Sequence, residues 1–258
     1  MIRRVEVWAE RSRAAALGTC LAVCLVTAVA AAGCGSRPAP TATERPEARP
    51  AFAAQVAAVR TGRASGIVVT QPPAFEDWES LRGLAGLREV VVEDGADDRA
   101  AAILATLPDL ERLVLRRSPL SDAGFAALAG CPRLRDLNVP QAGCTAAGVR
   151  SLASLGSLRS LRLGGPRLAG AEVGEAVAEL ARLRSLHLID VPLGDGGLAA
   201  LQRLEGLWNL YLDGAGVSDE AWGEYFRVRP GVHVHVDQAH HDRDPGRHDD
   251  GNGGAAGG

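Results

Sequence analysis

At 258 residues, 47% apolar but only 4% aromatic, the chain is long enough for one or two domains and must fill any core with Leu, Val and Ala. A net charge of −3 gives no reason to expect a polyanionic partner. All 28 basic residues are Arg, and the absence of Lys excludes a GxxxxGK[ST] phosphate loop and a lysine Schiff base.

The first segment reads as an address. Arg3, Arg4, Arg11 and Arg13 precede an apolar run over residues 14–33, which ends in small residues before Cys34. A charged start, an apolar stretch and a small-residue cut site describe a secretory signal peptide over residues 1–33. Ala31-Ala32-Gly33-Cys34 resembles the bacterial lipobox, although Ala31 stands where Leu is usual. That resemblance implies lipidation of Cys34, which becomes the first residue of the mature protein. Two other readings stay open. The run is also just long enough to span a bilayer as an uncleaved anchor, and plain secretion is the third possibility. In the lipid-anchored and helix-anchored readings the Arg-rich end stays inside and the rest faces outward. Gly35 in place of Asp after the cysteine favours, by analogy with sorting in enteric bacteria, the outer membrane.

Residues 34–50 are rich in Pro, Ala and charge and are expected to form a tether that buries no core. Phe52, Val56 and Val59 then recur at helical spacing, which predicts a short helix over residues 51–59. Its place before the first repeat suits a cap over an exposed strand edge.

From there to residue 237 a pattern Leu-x-x-Leu-x-Leu recurs with a period of roughly 24 residues, the mark of a stacked array. Copies start at Leu87, Leu110, Leu134, Leu158, Leu183 and Leu207, and weaker ones lie around Ile67–Val69 and Val232–Val236. Each Leu-x-Leu is expected to be a short strand with both leucines inward. Ser121-Asp122, Thr145, Gly194-Asp195 and Ser218-Asp219 follow as helix starts, since their oxygens accept from unpaired amides. Apolar pairs at helical spacing come next: Phe125 and Leu128, Val149 and Leu152, Leu198 and Leu201, Trp222 and Tyr225. Breakers at Gly130-Cys131-Pro132, Gly156 and Gly206 close the helical halves.

These residues resemble the leucine-rich repeat family, in its short bacterial form with an SDxGLxxL second half, and Cys131 also fits a cysteine-containing subtype. The resemblance implies an α/β solenoid, with a curved parallel sheet on the concave side and short helices on the convex side. It also implies a binding role. The Asn column common in such repeats is missing here.

Strand alternation places one residue of each Leu-x-Leu on the concave face: Val68, Val91, Val114, Asn138, Arg162, His187, Tyr211 and His235. The valines are either plain β-propensity or an apolar patch that a partner covers. The residue after each first Leu gives Arg88, Glu111, Arg135, Arg159, Arg184 and Trp208, of which the last four lie beside the polar half of that column. Arg, Trp and Tyr are enriched at interface hot spots, so the expected partner-binding set is Arg135, Arg159, Arg162, Arg184, His187, Trp208, Tyr211 and His235. The bland alternative is that the arginines merely solvate the sheet and the aromatics pack beneath a terminal cap. Trp78 and Trp222 fall on core columns.

Cys131 and Cys144 flank one strand, whose length of about 17 Å separates them beyond disulfide reach. Both are expected to be buried thiols. Residues 238–258 are polar and Gly-rich and are expected to be a disordered tail. His233, His235, His240 and His241, with Asp237, Asp242 and Asp244, suggest imidazole and carboxylate ligands, but spacing in a flexible tail fixes no geometry, so no metal is assigned. The Gly-rich stretch Gly194-Asp195-Gly196-Gly197 sits where a strand gives way to a helix and is explained by turn geometry. There is no nucleophile elbow, no HExxH and no pair of carboxylates at a spacing suited to catalysis, and the basic strip is too short for nucleic acid.

The expectation is therefore a non-enzymatic lipoprotein of the bacterial envelope, without cofactor, binding a protein or a glycan through its concave face. A structural spacer at the membrane surface and a metal-binding lipoprotein using the His/Asp tail are the alternatives.

Overall fold

A computed structural model describes residues 51–244. The expected signal peptide over residues 1–33, Cys34 and the expected tether lie outside the described residues. Strands and helices alternate along the chain, and nine strands form one sheet in sequential order. They are β1 (Gly66–Val69), β2 (Glu89–Val92), β3 (Arg112–Leu115), β4 (Asp136–Val139), β5 (Ser160–Gly164), β6 (Ser185–Ile189), β7 (Asn209–Leu212), β8 (His233–Val236) and β9 (Ala239–His240). Neighbours from β1 to β8 are parallel, and β9 turns back antiparallel to β8. Because each return passes through a helical segment, consecutive strands can only add in parallel.

The core lies on one face of this sheet. Alternation buries Ile67 and Val69 in β1, Leu137 and Val139 in β4, and Leu210 and Leu212 in β7, with equivalent residues between them. The leucine that opens each copy, such as Leu134 or Leu183, is buried as well. Against these leucines pack α3 (Asp98–Leu104), α4 (Asp122–Leu128), α5 (Ala146–Ser151), α6 (Ala171–Ala178), α7 (Gly194–Leu201) and α8 (Asp219–Val228). Trp78 and Trp222 are buried. So are Cys131 and Cys144, both free thiols, and burial pushes each up to about 12.

The helix starts carry more than local caps. Asp97, Ser121, Thr145 and Ser218 do cap their own helices, each accepting from an amide of the first turn. The aspartates do something else: they bind the next coil. Asp122 accepts from the Thr145 amide at 2.6 Å, the Thr145 hydroxyl at 2.9 Å and the Gly148 amide at 3.1 Å. Asp98 accepts from the amide and hydroxyl of Ser121, and Asp195 from those of Ser218. The glycine of the motif makes room for this carboxylate. A Cβ at Gly148 would sit 2.6 Å from Asp122 Oδ1, and one at Gly124 would sit 2.4 Å from Asp98 Oδ1.

Both ends of the sheet are covered. At the first, α1 (Phe52–Arg60) buries Val56 and Val59. Its Gln55 amide accepts from the Val68 N–H at 2.8 Å and donates to the Val68 carbonyl at 3.0 Å. One side chain thus pairs with the outer edge of β1, as an added strand would. A short helix α2 (Phe75–Glu79) carries Trp78 into the core of the first coil.

The opposite end departs from the expected disordered tail. Residues 238–244 are folded: the chain reverses at Asp237 and Gln238, both in the left-handed region with φ of 50° and 67°. That geometry suits a two-residue hairpin. β9 follows, pairing Ala239 with Val236 and His240 with His235. His241 then stacks on Trp222 at 4.7 Å and Phe226 at 5.0 Å, closing the last coil. Asp244 is 5% exposed and accepts from the Val234 N–H. Polar composition suggested disorder, but edge pairing, ring stacking and a buried carboxylate order this stretch.

Candidate functional site

The open face of the sheet, away from the helices, carries three columns of side chains. The middle column is the one that alternation identifies. Its members are adjacent in register: Asn138 pairs with Arg162, Arg162 with His187, His187 with Tyr211, and Tyr211 with His235. Across parallel strands such neighbours stand about 5 Å apart. Tyr211 accordingly lies 5.4 Å from His187 and 4.8 Å from His235 between ring centroids. Arg162 is exposed; His187, Tyr211 and His235 are half-buried. They form one continuous band over four strands.

The band is fixed from its flanks. His187 Nε2 lies 2.9 Å from a carboxylate oxygen of Asp213, one strand further on. His235 Nε2 lies 2.9 Å from His233 Nε2. Desolvation, followed by repulsion from His240 and His233, lowers the pKa of His235 below the usual imidazole value, so the neutral ring is favoured there. Below the band, Arg162 lines a depression of about 220 Å³ with Arg112, Val114, Asp136, Asn138 and Ser160. Asn138 Oδ1 is buried at its floor, an acceptor without a donor among the described residues.

The four residues taken from the position after the first Leu do not join this band. They precede their strands and lie along the margin where the strands begin. Arg135 is exposed there. The Arg159 guanidinium turns back to donate to the Gly156 and Leu158 carbonyls. Arg184 donates to the Gly206 carbonyl and lies 5.6 Å over the Trp208 ring. Trp208 is 66% exposed and lines a shallow depression with Glu205, Val228, Arg229 and Pro230, on the same margin. The structure thus separates two groups: Arg162, His187, Tyr211 and His235 on the open face, and Arg135, Arg159, Arg184 and Trp208 on its rim. The valine half of the middle column is flat, with Val68 and Val91 half-buried and Val114 buried.

Sequence reasoning missed three features. The column two residues before the middle one (Glu89, Arg112, Asp136, Ser160, Ser185, Asn209, His233) shares the open face by the same alternation, and was legible in the pattern. Asp213, in the column two residues after, was equally legible as a neighbour of His187. Asp244 was a candidate ligand by residue type, but its buried place beside His233 and His240 was not legible, because it depends on the hairpin. The histidines of the expected tail are also divided: one ring nitrogen each from His233, His235 and His240 lie within 4.8 Å of one another, whereas His241 faces the aromatic cap.

No protein-family model matches this chain, and no curated protein matches it. Among solved structures the chain is similar to an internalin (inlF) from Listeria monocytogenes str. 4b F2365, with 16% identity and a TM-score of 0.55 over 72% of this chain and 51% of that one. A TDR receptor is also similar, with 16% identity and a TM-score of 0.38 over 70% of this chain and 31% of that one. The chain spans about half the length of the internalin structure it matches. Repeat pattern, sheet and structural likeness together define an α/β leucine-rich repeat solenoid. Arrays of this kind commonly use their extended sheet face to bind other proteins.

Proposed function

We propose that this protein is a non-catalytic lipoprotein of the bacterial cell envelope that binds a protein partner through the C-terminal half of its open sheet face. The observation that carries the binding reading is the band Arg162–His187–Tyr211–His235, in register over four strands. An aromatic ring flanked by imidazoles and a guanidinium, on a rigid sheet, offers the residue types that dominate interface hot spots. A glycan stacking on Tyr211 is the other ligand class that this surface suits. The envelope and lipid assignments rest on the apolar run and the Ala31-Ala32-Gly33-Cys34 sequence.

Site-specific photo-crosslinking in the native cells tests the reading. A photoreactive amino acid replaces Tyr211, with a control at Arg203 on the helical side, where only an exposed ion pair with Glu175 is lost. One discrete protein adduct from position 211 alone is the expected result. No adduct from either position in the full-length protein would overturn the binding role and favour that of a spacer.

A further inference from the structure

The C-terminal hairpin gathers chemistry of its own, which meets the proposed binding band only at His235. His233 and His235 are two apart on β8, so both rings stand on the open face. The register of β9 sets His240 directly opposite His235. The three rings come together with centroids 4.1 to 5.0 Å apart. Behind them lies Asp244, whose side chain is wholly buried. Its Oδ2 is 2.8 Å from His233 Nδ1 and 3.4 Å from His240 Nδ1.

We propose that His233, His235 and His240 bind one divalent transition-metal ion of the zinc type, with Asp244 orienting His233. Zinc binds imidazole nitrogen at about 2.0–2.1 Å, which places two nitrogens of a tetrahedral site about 3.3 Å apart. His233 Nε2 and His235 Nε2 stand 2.9 Å apart, and the third nitrogen is inside 4.8 Å. The His233–His235 pair opens by a few tenths of an ångström and His240, on the exposed β9, closes in to reach this spacing. A carboxylate on Nδ1–H is what a metal-ligating imidazole needs: it fixes the tautomer that leaves Nε2 its lone pair and makes that nitrogen more basic. Asp244 meets that need at His233. The hairpin holds the third ligand without any flexible tail, so the coordination geometry comes from strand register. Three protein nitrogens leave a fourth position on the open face to water. The set is nitrogen-rich and free of thiolate, which favours Zn²⁺, Ni²⁺ or Cu²⁺ over Mg²⁺ or Ca²⁺.

The test uses the full chain, metal-free and without a histidine tag. Zn²⁺ is titrated in competition with a chromogenic chelator, and Co²⁺ is added separately to read the coordination by its visible absorption. One equivalent of Zn²⁺ is expected, with low-symmetry cobalt bands. His235→Gln and His240→Gln should each weaken binding at least about 10-fold. Asp244→Asn should weaken it about 10–100-fold, the usual range for loss of such a carboxylate. His248→Gln, beyond the described residues, should change nothing. Circular dichroism of each metal-free variant separates lost ligation from lost folding. His235→Gln is decisive, because it sits half-exposed on a strand and removes no core packing. No binding at micromolar Zn²⁺ would overturn the proposal. So would unchanged affinity in His235→Gln, or binding abolished by His248→Gln alone, which would place the ion on the tail.

Discussion

Removing the Asp122 carboxylate tests whether contacts between coils, and not the leucine core alone, hold the array in register. Asp122→Ala takes away three acceptor contacts at once, to the Thr145 amide, the Thr145 hydroxyl and the Gly148 amide. The Thr145 groups are half-buried, so water replaces part of what they lose; the Gly148 N–H is buried and finds no new acceptor. A buried amide left unpaired costs about 1–3 kcal/mol. Solvent screening reduces the two Thr145 contacts to about 1 kcal/mol together. The sum is about 2–4 kcal/mol. With a urea m-value of about 2–3 kcal/mol per M, the unfolding midpoint falls by about 1 M. Asp122→Asn keeps an oxygen for the amides and should cost much less.

Acid adds a second reading. The Thr145 backbone N–H, aided by the Thr145 hydroxyl and the Gly148 N–H, holds the Asp122 carboxyl below its ordinary 3.8. A depressed folded value means that the ionised group stabilises the fold fully above the unfolded value and loses that effect as pH falls through the folded one. The gap between wild type and Asp122→Asn should therefore be present at pH 6 and close below about pH 4. Urea unfolding followed by circular dichroism at the two pH values measures both effects. A midpoint shift below about 0.3 M for Asp122→Ala, worth less than about 1 kcal/mol, would refute the reasoning.

Three further predictions follow from the same contacts. Tyr225 is fully buried, and its hydroxyl has no partner among the described residues. Tyr225→Phe should stabilise the protein by about 1 kcal/mol, read as a melting temperature about 2–4 °C higher. Gln55→Ala strips the side chain that pairs with β1; it should cost about 1–2 kcal/mol in urea unfolding and produce concentration-dependent association in gel filtration, because an edge strand is left open. Tyr211→Ala should leave the melting temperature unchanged yet weaken partner capture at least about 10-fold, whereas Trp208→Ala, on the rim, should weaken it less. Equal losses from both would mean that the rim belongs to the interface.

The repeat core was legible in the sequence because its physics is local and periodic. The Leu-x-Leu alternation alone assigns Leu137, Val139 and Asn138 to their faces. The helix starts were half legible. Ser121 and Thr145 are caps by residue type, but Asp98, Asp122 and Asp195 act on the following coil, and a capping preference contains no information about neighbours. Arg135, Arg159, Arg184 and Trp208 shared a column on paper with no strand beneath them: alternation holds only inside a strand, and these residues precede it. The end of the array was hidden because composition is averaged over a window. The residues after Asp237 read as polar and mobile, yet His240, His241 and Asp244 each find a specific place through a turn that contains no glycine.

The aspartate contacts also give the array a direction. In each pair the acceptor belongs to the earlier coil and the donors to the later one: Asp98 with Ser121, Asp122 with Thr145, Asp195 with Ser218. At the helix starts each successor meets an anion already in place, whereas other amides of the earlier coil, such as those of Gly86 and Gly214, find their aspartates only in the later one. Trimming from the amino end leaves a helix start without the carboxylate that faces it, and trimming from the carboxyl end leaves loop amides such as Gly86 N–H without theirs.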